Sequence, residues 1–146
     1  MIGTETRLKI IREVSVRADN FYTQAEELGS IAARVLKEKE ENRHRSQITK
    51  LENIANNAMK VTDVVNYLKK QTARIEGWQR EILGKRLIDT LGFGGTLEQT
   101  SQQICTTLSL ADPAIKQHIH LLLIREFVRQ LAAQYEWKVT QNEPTR

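Results

Sequence analysis

The sequence predicts an all-α fold: a single-domain helical bundle of about five helices with a long antiparallel helical hairpin in its N-terminal half. Three observations carry that expectation. Leu51, Ile54, Ala58, Val61, Val65, Leu68, Thr72 and Ile75 recur at spacings of three and four, the seam that a long helix presents to a neighbour. Ile11, Val14, Ala18, Phe21, Ala25, Leu28, Ala32 and Val35 repeat that spacing between Glu5 and Glu41. Two prolines and seven glycines leave little to interrupt long helices, and no stretch alternates apolar and polar residues as a half-buried strand does.

At 146 residues the chain suits one core and is short for two ordinary domains. We expect the domain to occupy residues 1–139, with 140–146 a frayed tail. One long helix is expected from Glu5 to about Glu41; Gly29 and the Asp19-Asn20 pair weaken it, and a break near residue 20 is the alternative. Lys37 to Arg45, dense in both charges and free of apolar residues, reads as a helix end and turn. Ser46 or Thr49 then caps the second helix, Thr49 with Glu52 having capping-box spacing. Gly77 is an expected kink. Trp78, Ile82, Leu83, Leu87, Ile88 and Leu91 supply a third apolar stripe, ended by Gly92-Phe93-Gly94-Gly95. No strand precedes that run and no Lys closely follows it, so a helix end and turn fits better than a nucleotide loop. Thr96 with Gln99 is a cap for a shorter helix, and Asp112-Pro113 a strong start for the last. From Ala114 to Trp137 apolar residues nearly encircle the axis, marking the most buried helix. Its polar stripe contains His118, Arg125, Arg129 and Glu136.

The net charge is +4. Between Lys60 and Arg86 seven residues are basic and three acidic, and the remainder is balanced at 15 of each sign. That local excess suits a phosphate backbone, an anionic membrane surface or an acidic partner, or is simply a solvated face. One cysteine, Cys105, excludes an intrachain disulfide. With no leader-like start and no apolar run of about 20 residues, the chain reads as cytoplasmic and without a membrane role.

The ingredients of catalysis are sparse. His118 and His120 are two apart, which on a helix turns them about 200° from each other and away from a common metal. No Arg precedes a His by four to six intervening residues, as in one class of helical ribonuclease, and Cys105 has no His nearby in sequence. We expect no enzyme activity, no metal and no cofactor.

Binding remains. On one continuous helix, Asn56, Lys60, Asp63, Tyr67, Lys70 and Arg74 share the face opposite the seam, with Gln71 at its edge. Lys60, Lys70 and Arg74 can neutralise phosphates, and Tyr67 can stack on a base. Arg80, Lys85 and Arg86 extend the track if the third stripe folds alongside. Alternatively, the Tyr67 ring lies on its own bundle with its hydroxyl in water.

Ser46-Gln47-Ile48, opening a helix, and Val64-Val65-Asn66-Tyr67-Leu68-Lys69-Lys70-Gln71-Thr72-Ala73-Arg74, near its end, resemble the helical small subunit of type III CRISPR effector complexes. The likeness covers about a third of the chain. Small subunits of type I complexes share the architecture. The resemblance implies a non-catalytic, all-α subunit that assembles in several copies beside larger effector-complex subunits and contacts guide/target RNA or single-stranded DNA. Lys69, Gln71 and Arg74 match the family's basic and amide positions, and Lys50 lies near its helix-start basic position. Thr49 stands where that family carries Arg, and Lys70 where an aromatic is common. A reading of another class is a helical protein–protein interaction module with no nucleic-acid role, its charge serving solvation.

Overall fold

The computed structural model describes the backbone of residues 3–36 and 41–142, and the side chains of 3–36 and 47–141. The protein is an all-α helical bundle. Its axis is the C-terminal helix α8, Pro113–Asn142, against which α1 (Thr4–Ala18), α2 (Tyr22–Val35), α3 (Glu41–Asn57) and α7 (Thr96–Leu108) all pack. α4 (Val61–Arg74) leans instead on α6 (Leu83–Leu91), with the single turn of α5 (Glu76–Gln79) between them in sequence.

α8 takes this position because its apolar residues leave almost no polar side. Ile119, Leu123, Ile124, Phe127, Val128 and Leu131 are fully buried, and Phe127 meets Phe21 edge-on at 6.3 Å. The two N-terminal seams bury most of their residues, with Ile54, Thr72 and Ile75 partly covered. The first seam and the α3 part of the second close on α8, and the α4 part on α6, rather than chiefly on each other as a simple hairpin would require. The turn expected at Lys37 to Arg45 lies outside the described residues at 37–40; from Glu41 the chain is already helical. Thr49 is consequently an exposed mid-helix residue and caps nothing, since Glu and Arg propagate a helix readily.

The one long helix expected from Glu5 to about Glu41 is instead two, α1 and α2, joined by a short 3-10 turn at Asp19–Phe21, where Asp and Asn side chains compete with the helical backbone. The seam enters α1 through Ile10, leaving Ile11 half exposed. A larger departure falls at residues 58–60. The expected single helix from 47 to 74 is two helices, because Lys60 is extended (φ −138°, ψ 148°). Asn57 donates its amide to the Asn53 carbonyl at 2.8 Å, and Asp63 accepts the Lys60 N–H at 3.2 Å. A C-terminal closure and an N-terminal cap, two residues apart, outweigh the continuity of the seam.

α4 ends at Arg74, just before Gly77, and Ile75 is extended. Beyond α5, Glu81 and Ile82 both adopt left-handed backbone with φ 49°. This conformation is costly for a β-branched residue. Arg34 holds it with two parallel bonds to the Glu81 carboxylate, 2.8 and 2.7 Å, and keeps that carboxyl below its usual range. Ile82 therefore points outward, 57% exposed, and drops out of the stripe that Trp78, Leu83, Leu87 and Leu91 complete inside.

Where α4 crosses α6, Gly84 lies so close to Thr72 that a Cβ would sit 1.8 Å from its Oγ1. Gly84→Ala is expected to destabilise the fold by about 1–3 kcal/mol. Thr72→Ala in the same chain removes the Oγ1 and Cγ2 contacts but leaves Cβ at 2.8 Å, so it should recover part of the loss, measured by urea denaturation. Equal, additive losses would mean that the two helices do not meet there.

The glycine run is a turn, with Gly94 at φ 81°. Thr96 does not cap α7, whose N-cap is Gly95 without a side-chain bond; Glu98 instead reaches back to the turn and accepts the Gly94 N–H at 2.7 Å, while Asp112 accepts the Ala114 N–H at 2.9 Å to start α8. Residues 140–142, expected to fray, continue α8, and 143–146 lie outside the described residues.

The turn is pinned from α8 by His120. Its Nε2 donates to the Leu91 carbonyl at 2.7 Å, and its ring meets Phe93 edge-on at 5.9 Å. Burial pulls the pKa of His120 down, and burial with the nearby Arg125 and Arg7 does the same for His118. The unfolded chain therefore takes up these protons first. Their contribution is complete above the unfolded value of about 6.5 and is lost as pH falls through it. The melting temperature should drop between about pH 7.5 and 5.5, and less so in His120→Gln, whose amide can still donate to Leu91. A wild-type transition that stays level over this interval contradicts the assignment.

Candidate nucleic-acid interface

The buried side of α4 is Val61, Val64, Val65 and Leu68. Its far side exposes Asn66, Lys69, Lys70, Ala73 and Arg74, with Lys60 exposed at the N-terminal boundary. From Lys60 to Arg74 this strip runs for about 20 Å. Among the described residues no carboxylate lies within ion-pair distance of Lys60, Lys69, Lys70 or Arg74. Asp63, the one acid on the helix, accepts the backbone N–H of Lys60. Lys69, Lys70 and Arg74 also sit in the C-terminal half of α4, where cations complement the helix dipole.

Other residues named from the sequence behave differently. Tyr67 is not a free stacking surface. It flanks the strip, is half-buried against the core, and donates its hydroxyl to the Gln47 carbonyl at 3.3 Å. Burial pushes its phenol up to about 12. The expected outward face was phased across Asn56 to Arg74 as one helix. Val64 is buried along with the seam's Val61, Val65 and Leu68, which widens the inner side, so the exposed face of α4 centres on Asn66, Lys70 and Ala73 with Tyr67 at its margin. Gln71 is half-buried. Lys50 is exposed, but on α3, across the break.

The extension through Arg80, Lys85 and Arg86 is not formed as a free cationic track. Arg80 pairs with Glu76 at 2.9 Å, Lys85 with Asp89 at 2.9 Å and Arg86 with Glu27 at 3.1 Å. Such surface pairs add little stability, yet each places a negative charge beside the cation that was to meet a phosphate.

Two residues matter more than the sequence indicated. Gln47 is buried, receiving the Trp78 indole N–H on its side-chain oxygen and the Tyr67 hydroxyl on its backbone oxygen. Its place one turn before Leu51 on the seam signals an inward position, but Trp78 is 31 residues away. Arg125, read as part of the polar stripe of α8, donates from Nε to the Ala55 carbonyl at 2.9 Å and from Nη2 to the Ala58 carbonyl at 3.1 Å. It thereby satisfies carbonyls at the end of α3.

For chemistry beyond binding, the described residues contain no group of three or more His, Cys, Asp or Glu placed to hold a metal ion. Cys105 is buried, which pushes its thiol pKa up. No helix among the described residues is long and apolar enough to cross a membrane. No family model matches the chain, and neither a curated protein nor a solved structure matches it.

Proposed function

We propose that this chain is a non-catalytic nucleic-acid-binding subunit that grips phosphate backbones through α4. The observation that carries this reading is the strip Lys60, Lys69, Lys70 and Arg74, exposed and without carboxylate partners among the described residues, whereas Arg80, Lys85 and Arg86 are paired. Four such cations attract a polyanion by displacing its counterions. With Tyr67 tied to Gln47, base stacking contributes little, so binding is indifferent to sequence. The resemblance to CRISPR effector small subunits supports the same face, since Lys69 and Arg74 are among the matching positions. On that reading the bound strand is guide/target RNA or single-stranded DNA, and the neighbours are larger effector-complex subunits and copies of itself.

The test compares two variants of equal charge change, Lys70→Glu/Arg74→Glu and Arg80→Glu/Lys85→Glu, on fluorescent single-stranded oligouridine and oligoadenine. Wild type should bind both alike, with log K falling against log salt at a slope of about −2 to −3. The first variant should lose binding and the second keep most of it. Equal losses would reduce the effect to net charge and reject the strip as the site.

A further inference from the structure

A separate apolar feature lies on α1. α1 turns its seam inward through Ile10, Val14 and Ala18, yet leaves Leu8 59% and Ile11 50% exposed. These two are neighbours one turn apart. Beside them a groove of about 380 Å³ opens between α1 and α8, with Ile10, Ile11 and Leu122 as its apolar lining and Arg7 and His118 at its polar edge. Arg7 and Arg12 fall on opposite flanks of the Leu8–Ile11 ridge at about 100° per residue. Both are exposed, and no described carboxylate pairs with either, although Lys9 and Arg17 on the same helix pair with Glu5 and Glu13.

We propose that this groove docks an amphipathic helix of another protein, seating a bulky apolar side chain beside Ile11 and Leu122 and presenting carboxylates to Arg7 and Arg12. Charge complementarity selects this occupant. A second copy packed on the same face by a two-fold axis would bring Arg7 and Arg12 towards their own equivalents, a like-charge contact. A bilayer surface calls for a broad, convex apolar face, whereas here a short ridge stands beside a recess that fits a single inserted side chain. The inference is independent of the α4 strip and would survive its failure.

The probe is a synthetic amphipathic helix with a leucine and phenylalanine stripe flanked by glutamates, together with its twin carrying lysine at every glutamate. Binding to the full chain is followed by fluorescence anisotropy. The acidic helix should bind at least about tenfold more tightly than its twin. Arg7→Glu/Arg12→Glu should invert that preference, and Ile11→Asp, a change at an exposed position, should weaken the acidic helix about tenfold without moving the thermal melt. Lys70→Glu/Arg74→Glu should leave it unchanged. Equal binding of the twins, or none of the acidic helix, overturns the proposal. So does binding only to phosphatidylserine-containing vesicles, or a concentration-dependent dimer that Ile11→Asp dissolves.

Discussion

Trp78→Ala is expected to lower the unfolding free energy by about 3–5 kcal/mol, the range for emptying a large aromatic site in a close-packed core. Trp78 is completely buried and sits on α5, a helix of a single turn that cannot persist through its own hydrogen bonds. The indole is therefore what fastens α5 to the bundle, with its N–H donated to the buried Gln47 side chain. Removing it creates a cavity and leaves the Gln47 oxygen without its donor, a further desolvation cost. Trp78→Phe separates the two terms, since it keeps part of the volume and deletes the hydrogen bond; a loss of about 1–3 kcal/mol is expected there. Urea denaturation followed by far-ultraviolet circular dichroism measures both. An alanine variant within about 1 kcal/mol of wild type would place α5 outside the cooperative core.

The bundle could be read from the sequence because its code is local. Spacings of three and four at Leu28, Ala32, Leu51, Val61 and Leu68 require only that a helix bury one face, and each of these residues is buried. Asp112-Pro113 and the glycine run announce helix boundaries by chemistry within a few residues. What the spacings omit is the identity of the partner. An apolar seam fits any other seam, and only in three dimensions does α8 take the first seam and the α3 part of the second at once. The turn at 58–60 was concealed for a related reason: Ala58 and Val61 keep the seam's phase through a break set by Asn57 and Asp63.

The site was legible to the same depth. A run rich in Lys and Arg identifies α4, but exposure and neutralisation are pairwise facts. Lys85 and Asp89 stand four apart, so their pairing was available from the sequence; Arg86 and Glu27 are joined only by the contact of α6 with α2. Tyr67 illustrates the limit most clearly. An aromatic among cations has the composition of a stacking surface, and what withdraws it is a carbonyl at Gln47, contributed by another helix.

Arg125→Ala is expected to cost about 2–3 kcal/mol, because it strips charged donors from two carbonyls at the end of α3. The consequence should extend to binding. Arg125 is the α8 group that fixes where α3 stops, and Lys60, three residues beyond Asn57, begins the cationic strip. Arg125→Lys isolates this effect. It retains the charge, but a single ammonium cannot fork across the Ala55 and Ala58 oxygens, so it should recover less than half of the lost stability. Hydrogen exchange in the lysine variant should accelerate around residues 54–62 and remain slow in the centre of α8. Affinity for oligouridine should fall several-fold at an unchanged salt slope, since the same cations are present on a less firmly placed helix. A steeper loss accompanied by a shallower slope would instead assign Arg125 a direct phosphate contact, and the pairing with Ala55 and Ala58 would then not describe the protein in solution.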